Sequence, residues 1–327
     1  MRKEGLDLSR YLVTGCAGFI GSAISDSLLR AGHSVVGIDS LTDYYDVDLK
    51  KQNVSELSDY ERFEFQAQDL LNADFDKILP GISGIYHQAG QPGVRKSWGS
   101  DFSGYVDNNI IATQRILEAA RSMTEPPKIV YASSSSVYGN AETYPTNESI
   151  TPQPRSPYGV TKLAAEHLCS LYADNFGIDT VSLRYFTVYG PKQRPDMAFS
   201  RLVSAAFQGP TFEVYGDGTQ VRDFTYITDV VDANVKAMTS GTKAGSIYNI
   251  AGGSNVSLRQ AISTIEMLAD CRLSIKWSDV VQGDVRRTSG DTALAYQQLG
   301  WSPRVDLKEG LRRHLAWAEA SAACRDT

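Results

Sequence analysis

Tyr11-Leu-Val-Thr-Gly-Cys-Ala-Gly-Phe-Ile-Gly21 decides the fold. Its first four residues are a short apolar run that stops at a glycine, the pattern of a buried strand. Gly15, Gly18 and Gly21 follow at G-x-x-G-x-x-G spacing. Ile20, Ile24 and Leu28 then recur at helical period until Ala31-Gly32, a C-terminal stop signal. His33 to Ile38 reads as a second strand, ending at Asp39. The unit is strand, glycine turn, helix, strand. Glycines let the chain turn sharply and bring backbone N–H groups close to a pyrophosphate, and the helix N-terminus adds a favourable dipole.

Such a triplet alone is also found in ordinary glycine turns, so its surroundings carry the argument. Asp39 closes the second strand, where a carboxylate accepts hydrogen bonds from adenosine ribose hydroxyls and repels a 2′-phosphate. NAD is therefore expected as cofactor. Phe19, Ile20 and Ser40 fall beside these groups. Asp69 and Leu70 follow a third strand, Phe63 to Ala67, and are placed near the adenine. Gln88, Ala89 and Gly90 follow a fourth, Gly84 to His87, and are placed under the cofactor. The alternation continues with a helix over 108–121, strands at 128–132 and 180–184, and a helix within 156–175. This predicts an α/β fold with a doubly wound parallel sheet, and ligands at the carboxyl ends of its strands.

After Gly190 the segments shorten and become rich in Gly, Pro, Asp and Arg, with helices at 229–239, 258–269 and 307–320. The reading is a dinucleotide-binding domain over 1–190 and a smaller substrate lobe over 191–327, some late segments returning to the first domain. The chain has 327 residues, 42% hydrophobic and 21% charged, which excludes disorder over most of its length. With 32 Lys+Arg against 38 Asp+Glu the net charge is −6, so no general attraction to nucleic acid or anionic lipid is expected. Cys16, Cys169, Cys271 and Cys324 form no C-x-x-C pair, which argues against a metal site or a disulfide framework. A polar start, Met1 to Arg10, and the lack of a long apolar run predict a cytoplasmic protein with no membrane span.

Tyr158 and Lys162 stand at i, i+4, on one face if the segment is helical. A phenol is a poor base at neutral pH, and a nearby ammonium favours its phenolate. Tyr158 could then take a proton from a hydroxyl while a nicotinamide takes the hydride. The alternative is an ordinary solvent-facing pair. Upstream, Ser133-Ser-Ser-Ser136 follows a strand end, where a serine can hydrogen-bond the reacting oxygen.

The glycine turn, the serines and Tyr-x-x-x-Lys together resemble the extended short-chain dehydrogenase/reductase family, in its nucleotide-sugar epimerase and dehydratase branch. Val137-Tyr-Gly139, Arg184-Tyr-Phe186, Gly216-Asp-Gly218 and Arg222-Asp-Phe224 extend the likeness from about Leu12 to Trp317. The resemblance implies Tyr158 as base, Lys162 on the nicotinamide ribose, and Ser134 on the sugar hydroxyl, with Ser135 as the neighbouring choice. Asn109 and Tyr185 join the cofactor set. Dehydratases of the branch carry an acidic pair after the position of Ser134, and decarboxylating members a Glu two positions on. Here Ser135 and Ser136 stand there, which points to simple C4 epimerisation. Asp39 to Asp46, Gln91-Pro-Gly-Val-Arg95, and Thr187-Val-Tyr-Gly-Pro191 followed by Arg194-Pro-Asp-Met-Ala198 are similar to the UDP-glucuronate 4-epimerases of that branch. Thr187 and Arg194 are then expected at a sugar carboxylate. The bland reading leaves Arg194 on a solvated loop or paired with Asp196. Gln220, Arg222, Asp284 and Arg286 or Arg287 are expected at the nucleotide, and Tyr215 at the uracil. UDP-glucose or its N-acetyl analogue, a decarboxylase, and a non-catalytic NAD-binding sensor are the competing readings. A homodimer through a four-helix bundle of 108–121 and 156–175 is also implied.

Overall fold

The computed structural model describes residues 8–279 and 285–323. Twelve strands occur among them. Seven form one sheet: β1 (Arg10–Thr14), β2 (Ser34–Asp39), β3 (Phe63–Ala67), β4 (Gly84–His87), β5 (Lys128–Ser134), β6 (Thr180–Tyr185) and β10 (Ser246–Ile250). They lie in the order β10-β6-β5-β4-β1-β2-β3, and every neighbouring pair is parallel. The order reverses between β1 and β4, so the crevice opens above that pair.

Both faces are covered because successive strand residues point to opposite sides. Val13, Val35 and Val130 enter one core with Ile24 and Leu28 of α1 (Phe19–Arg30) and Val230 and Ala233 of a helix over Ile227–Thr239. Leu12, Val36 and Ile129 enter the other, with Ile116 and Leu117 of a helix over Ala112–Arg121 and Ala165 of a helix over Pro157–Phe176. The remaining helices α2 (Val47–Ser58), α3 (Phe75–Ile78) and α4 (Phe102–Tyr105) come early, so the three helices just cited are α8, α5 and α6. The helix expected from residue 108 starts earlier. A π-helical stretch, Val106–Ile111, joins α4 to α5 without a break.

After residue 190, β10 pairs with β6 at the edge of this sheet and α8 packs on β5 and β6. The second lobe holds β7 (Thr187–Tyr189), β9 (Val221–Tyr226) and β11 (Ser254–Ser257) in one small sheet, and β8 (Phe212–Tyr215) with β12 (Ile275–Ser278) in another. Helices α7 (Ala198–Gln208), α9 (Leu258–Ala269), α10 (Ala293–Leu299) and α11 (Leu307–Ala323) complete it. No helix among the described residues is long and apolar enough to cross a membrane.

Candidate active site

The three glycines of the turn are fixed by backbone, not by side chains. A Cβ on Gly21 would stand 2.1 Å from the Gly15 carbonyl oxygen, and one on Gly15, at φ +70°, 2.7 Å from the Ala89 nitrogen. Gly18 is the N-cap of α1 and no side chain caps it, so the first N–H groups of the helix stay available to a phosphate. Asp39 ties the turn to the second strand, accepting from the Ala17 N–H at 3.1 Å and the Leu41 N–H at 2.8 Å. Burial pushes its carboxyl up, against those two bonds and the nearby Lys50.

Every residue expected at the cofactor lines one cleft. Gly15, Gly18, Phe19, Ile20, Gly21, Asp39 and Ser40 line one part of it, with Asp69 and Leu70 from just after β3. Gln88, Ala89, Gly90, Asn109, Tyr158, Lys162 and Tyr185 carry it to the other end. Asn109 sits in the π-helical stretch and is buried. It donates to the Gln91 carbonyl and the Thr161 hydroxyl, and accepts from the Gln91 N–H at 2.7 Å. Tyr185 donates to Asn234 at 2.9 Å and to Gln88.

Under this cleft runs a chain of hydrogen bonds that the sequence reading did not single out. Thr113 donates to the Asn109 carbonyl at 2.7 Å, so it accepts from His87 Nε2 at 2.9 Å. His87 Nδ1 then accepts from the Thr14 hydroxyl, which itself accepts from the Ala89 N–H. His87 is fully buried, and burial together with Lys162 lowers its pKa to about 3. It is a neutral strut.

Ser156 caps α6, accepting from the Gly159 N–H at 3.1 Å, and Pro157 starts the helix. Gly159 lets this helix end press on the turn after β5, where a Cβ would stand 2.7 Å from the Ser136 carbonyl. Tyr158 lines one cavity with Ser134 and Ser135, and Ser134 is the one that favours its phenolate. Ser133 is spent on the buried Glu166, at 2.6 Å, which also grips Arg184.

Burial pushes the Tyr158 phenol up, and the groups opposing it are Ser134 and Arg194. Lys162 is itself buried, 4.5 Å over the Tyr131 ring, and burial lowers its pKa to about 8. Its ammonium lies near Gly90, on the cofactor side.

A second cavity adjoins the first and shares Phe19, Ile20, Tyr158, Tyr185 and Arg194 with it. It is lined as well by Ser134, Ser135, Thr187 and Arg222. Arg194 pairs side-on with Asp196, as the bland reading held, and it lines the cavity all the same. Tyr215, Gln220, Arg286 and Arg287 lie outside this lining. The Tyr215 ring lies under the Arg95 guanidinium at 4.3 Å, Gln220 donates to the Tyr215 carbonyl, and Arg287 sits over Tyr144. Val285 and Thr288, flanking the arginine pair, do line it. Asp284 falls outside the described residues. Tyr44, Tyr45 and Lys50 line the cofactor cleft without having been assigned a role. The run Asp43-Tyr-Tyr-Asp46 was their available signal. No group of metal-ligating side chains occurs among the described residues.

A phenol held where a glycine-lined cleft meets a second cavity bearing serines, Thr187 and Arg194 suits an enzyme that moves hydrogen on and off a hydroxyl-bearing carbon. The chain belongs to the NAD dependent epimerase/dehydratase family, which it matches over residues 11–251. It is 42% identical over 309 residues to a Bacillus subtilis protein named as an uncharacterized UDP-glucose epimerase, covering 94% of this chain and 97% of that one. It is 37% identical over 314 residues to a UDP-glucuronate 4-epimerase of Thermodesulfobacterium geofontis, covering 94% and 96%. The crystal structure of a Bacillus cereus UDP-glucuronic acid 4-epimerase with UDP-glucuronic acid and NAD superposes with a TM-score of 0.92 at 42% identity, over 95% of this chain and 99% of that one.

Proposed function

We propose that the protein interconverts UDP-glucuronate and UDP-galacturonate at C4 with a retained NAD. The carrying observation is that Arg194 and Thr187 line the same cavity as Ser134 and Tyr158, so a cation and a hydroxyl face the place where a sugar would react. The bound ligands named for the Bacillus cereus relative support the same choice.

The residues present fit the cofactor. The glycine turn has no room for a Cβ, the first turn of α1 is uncapped, and Asp39 lies in the cleft. Bound there, NAD supplies a reversible hydride acceptor. Gly15, Gly18 and Gly21 would hold its pyrophosphate, Asp39 its adenosine ribose, and Lys162 and Tyr185 its other end. Tyr158 removes the proton from the C4 hydroxyl and returns it to the oxygen of the 4-keto sugar after that sugar has turned its other face. Ser134 holds the reacting oxygen and stabilises the phenolate by donating to it. Thr187 and Arg194 grip the C6 carboxylate. That grip matters because a 4-keto sugar with a C6 carboxylate is a β-keto acid. Ser135 and Ser136 offer no carboxyl group to expel water or to assist loss of CO2.

Two further readings go with it. Val160 and Leu171, eleven residues apart on one face of α6, are 48% and 54% exposed, and Ile111 on the neighbouring helix is exposed too. This apolar face suits pairing with a second copy through α5 and α6. The three described cysteines are free, consistent with a reducing cytoplasm.

The test is a product assay with UDP-glucuronate and no added NAD, read by chromatography and proton NMR. UDP-galacturonate without net NADH is the expected result. Turnover of UDP-glucose but not of UDP-glucuronate would overturn the substrate assignment. Arg194→Ala is expected to weaken UDP-glucuronate selectively. Tyr158→Phe is expected to lower turnover by about 10²- to 10⁴-fold with its NAD retained.

A further inference from the structure

Arg194 presents only part of its guanidinium to Asp196. Nε donates to Oδ1 at 2.9 Å and Nη2 to Oδ2 at 2.8 Å, a side-on fork. The second N–H of Nη2 faces the Met197 sulfur at 3.5 Å, a weak acceptor, and Nη1 takes part in none of these contacts. The end-on edge of the same guanidinium therefore meets only that sulfur among these contacts, a partner that a carboxylate oxygen can displace to pair with Nη1 and Nη2 together. Tyr44 lines the cofactor cleft together with Arg194. Its ring lies 5.6 Å from the Arg194 guanidinium and 4.6 Å from the Lys96 ammonium. Lys96 is also an electrostatic neighbour of Asp196. Two cations and one carboxylate thus gather around the Tyr44 ring, and of the three Arg194 lines the sugar cavity.

We propose that Asp196 is a positioning residue that fixes the Arg194 guanidinium by its side edge, so that its end edge takes the sugar carboxylate in one orientation only. The proposal rests on the reading that Arg194 receives the C6 carboxylate. Asp196 then has two opposed effects. Its charge repels the acid sugar and weakens binding. Its fork keeps the bound carboxylate out of the geometry in which the C5–C6 bond lines up with the C4 carbonyl. In that geometry the C5–C6 bond breaks, its electron pair moves into the C4 carbonyl as an enolate, C6 leaves as CO2, and C5 takes up a proton. The products are a 4-keto pentose and CO2, with no oxidant needed.

Asp196→Asn separates the two effects because the amide keeps one acceptor but loses the charge and half of the fork. With the purified holoenzyme, the dissociation constant for UDP-glucuronate by calorimetry is expected to fall about 3- to 10-fold, and that for UDP-glucose to stay unchanged. The CO2 released per epimer formed is expected to rise about tenfold or more. Tighter binding together with a poorer product ratio is a pairing that a loop-folding role would not give. Asp196→Glu keeps the charge and shifts the fork, so its affinity should match the parent while its CO2 fraction rises. Unchanged binding and product ratio in Asp196→Asn, beside an Arg194→Ala that does weaken UDP-glucuronate, would overturn the role of Asp196 alone. Weaker binding of both sugars with a lowered melting temperature would make Asp196 a folding residue and overturn it equally. Unaltered UDP-glucuronate binding in Arg194→Ala would remove the carboxylate reading and this inference with it.

Discussion

The two halves of the cleft are built on different principles. The cofactor half is made of backbone and buried struts: glycines without room for a Cβ, Asp39 on two N–H groups, and the Thr14–His87–Thr113–Asn109 chain. The sugar half is made of side chains brought by separate segments: Ser134 at the end of β5, Thr187 on β7, Arg194 on the loop after it, and Arg222 on β9. A backbone cradle tolerates almost no substitution and serves one ligand class. A loop-built wall can be changed one side chain at a time. The difference explains how one family scaffold accommodates several sugars over a constant cofactor.

The largest effect should come from breaking the cradle. Gly21→Ala puts a Cβ against three backbone atoms, none of which can swing away. The variant is expected to purify without NAD and to lose more than about 3 kcal/mol of stability, read by cofactor absorbance and denaturant midpoint. Gly93→Ala is the counterpart in the sugar half. There the atom in the way is the Tyr44 hydroxyl, at 2.2 Å, the far end of a side chain, although φ of +104° adds strain. NAD should be retained and UDP-sugar affinity should fall. Equal loss of NAD in both variants would erase the distinction.

This contrast also governs what could be read from the sequence. The glycine turn, Asp39, and the Tyr158–Lys162 spacing are local, and their geometry follows from a few consecutive residues. Strands β3 and β4 and helix α9 fall on the residues read from the sequence. Helix α2 went unread because it buries Lys50, Asn53 and Leu57, so the helical period is there but not in apolar residues. The short strands β7, β8, β9, β11 and β12 were unread because three to six residues among glycines carry too little pattern. His87 and Thr113 looked like strand and helix filler, and only the fold brings them together across 26 positions. Tyr215 shows the limit from the other side. A loop distant in sequence decides what covers its ring, and that cover is Arg95.

The halves should also titrate with opposite sign. His87 is held near pKa 3 by burial, below its ordinary value. The unfolded chain thus binds more protons below about pH 6.5, and this group makes stability fall as pH drops toward 3. Asp223, buried on β9, is raised to about 6, with burial the leading cause and backbone N–H bonds opposing it. The folded chain binds the extra proton there, so this group adds stability at low pH that is lost as pH rises through about 6. From pH 6 to 4 each is worth roughly 1.4 kcal/mol per pH unit, and they offset one another. His87→Asn should leave stability falling as pH rises through this window. Asp223→Asn should leave it falling as pH drops. Urea midpoints at pH 4.5 and 6 check both, and slopes that match the parent in both variants would refute the assignment.

The smallest effect concerns the contact that joins the halves. Arg95, from the loop after β4, lies over the Tyr215 ring at the end of β8, so a cation of the first lobe rests on an aromatic of the second. A pair of this kind at a partly exposed site is worth about 0.5–1 kcal/mol. If the contact helps hold the lobes at their working separation, Tyr215→Phe should be silent, because the ring face remains. Tyr215→Leu and Arg95→Met should each raise the KM for the UDP-sugar by about two- to fivefold with little change in kcat. The double variant should be no worse than either single one, because the two side chains act through one contact. Additive losses would mean that each side chain meets the nucleotide separately, and that the sugar half extends further into the second lobe than its cavity lining indicates.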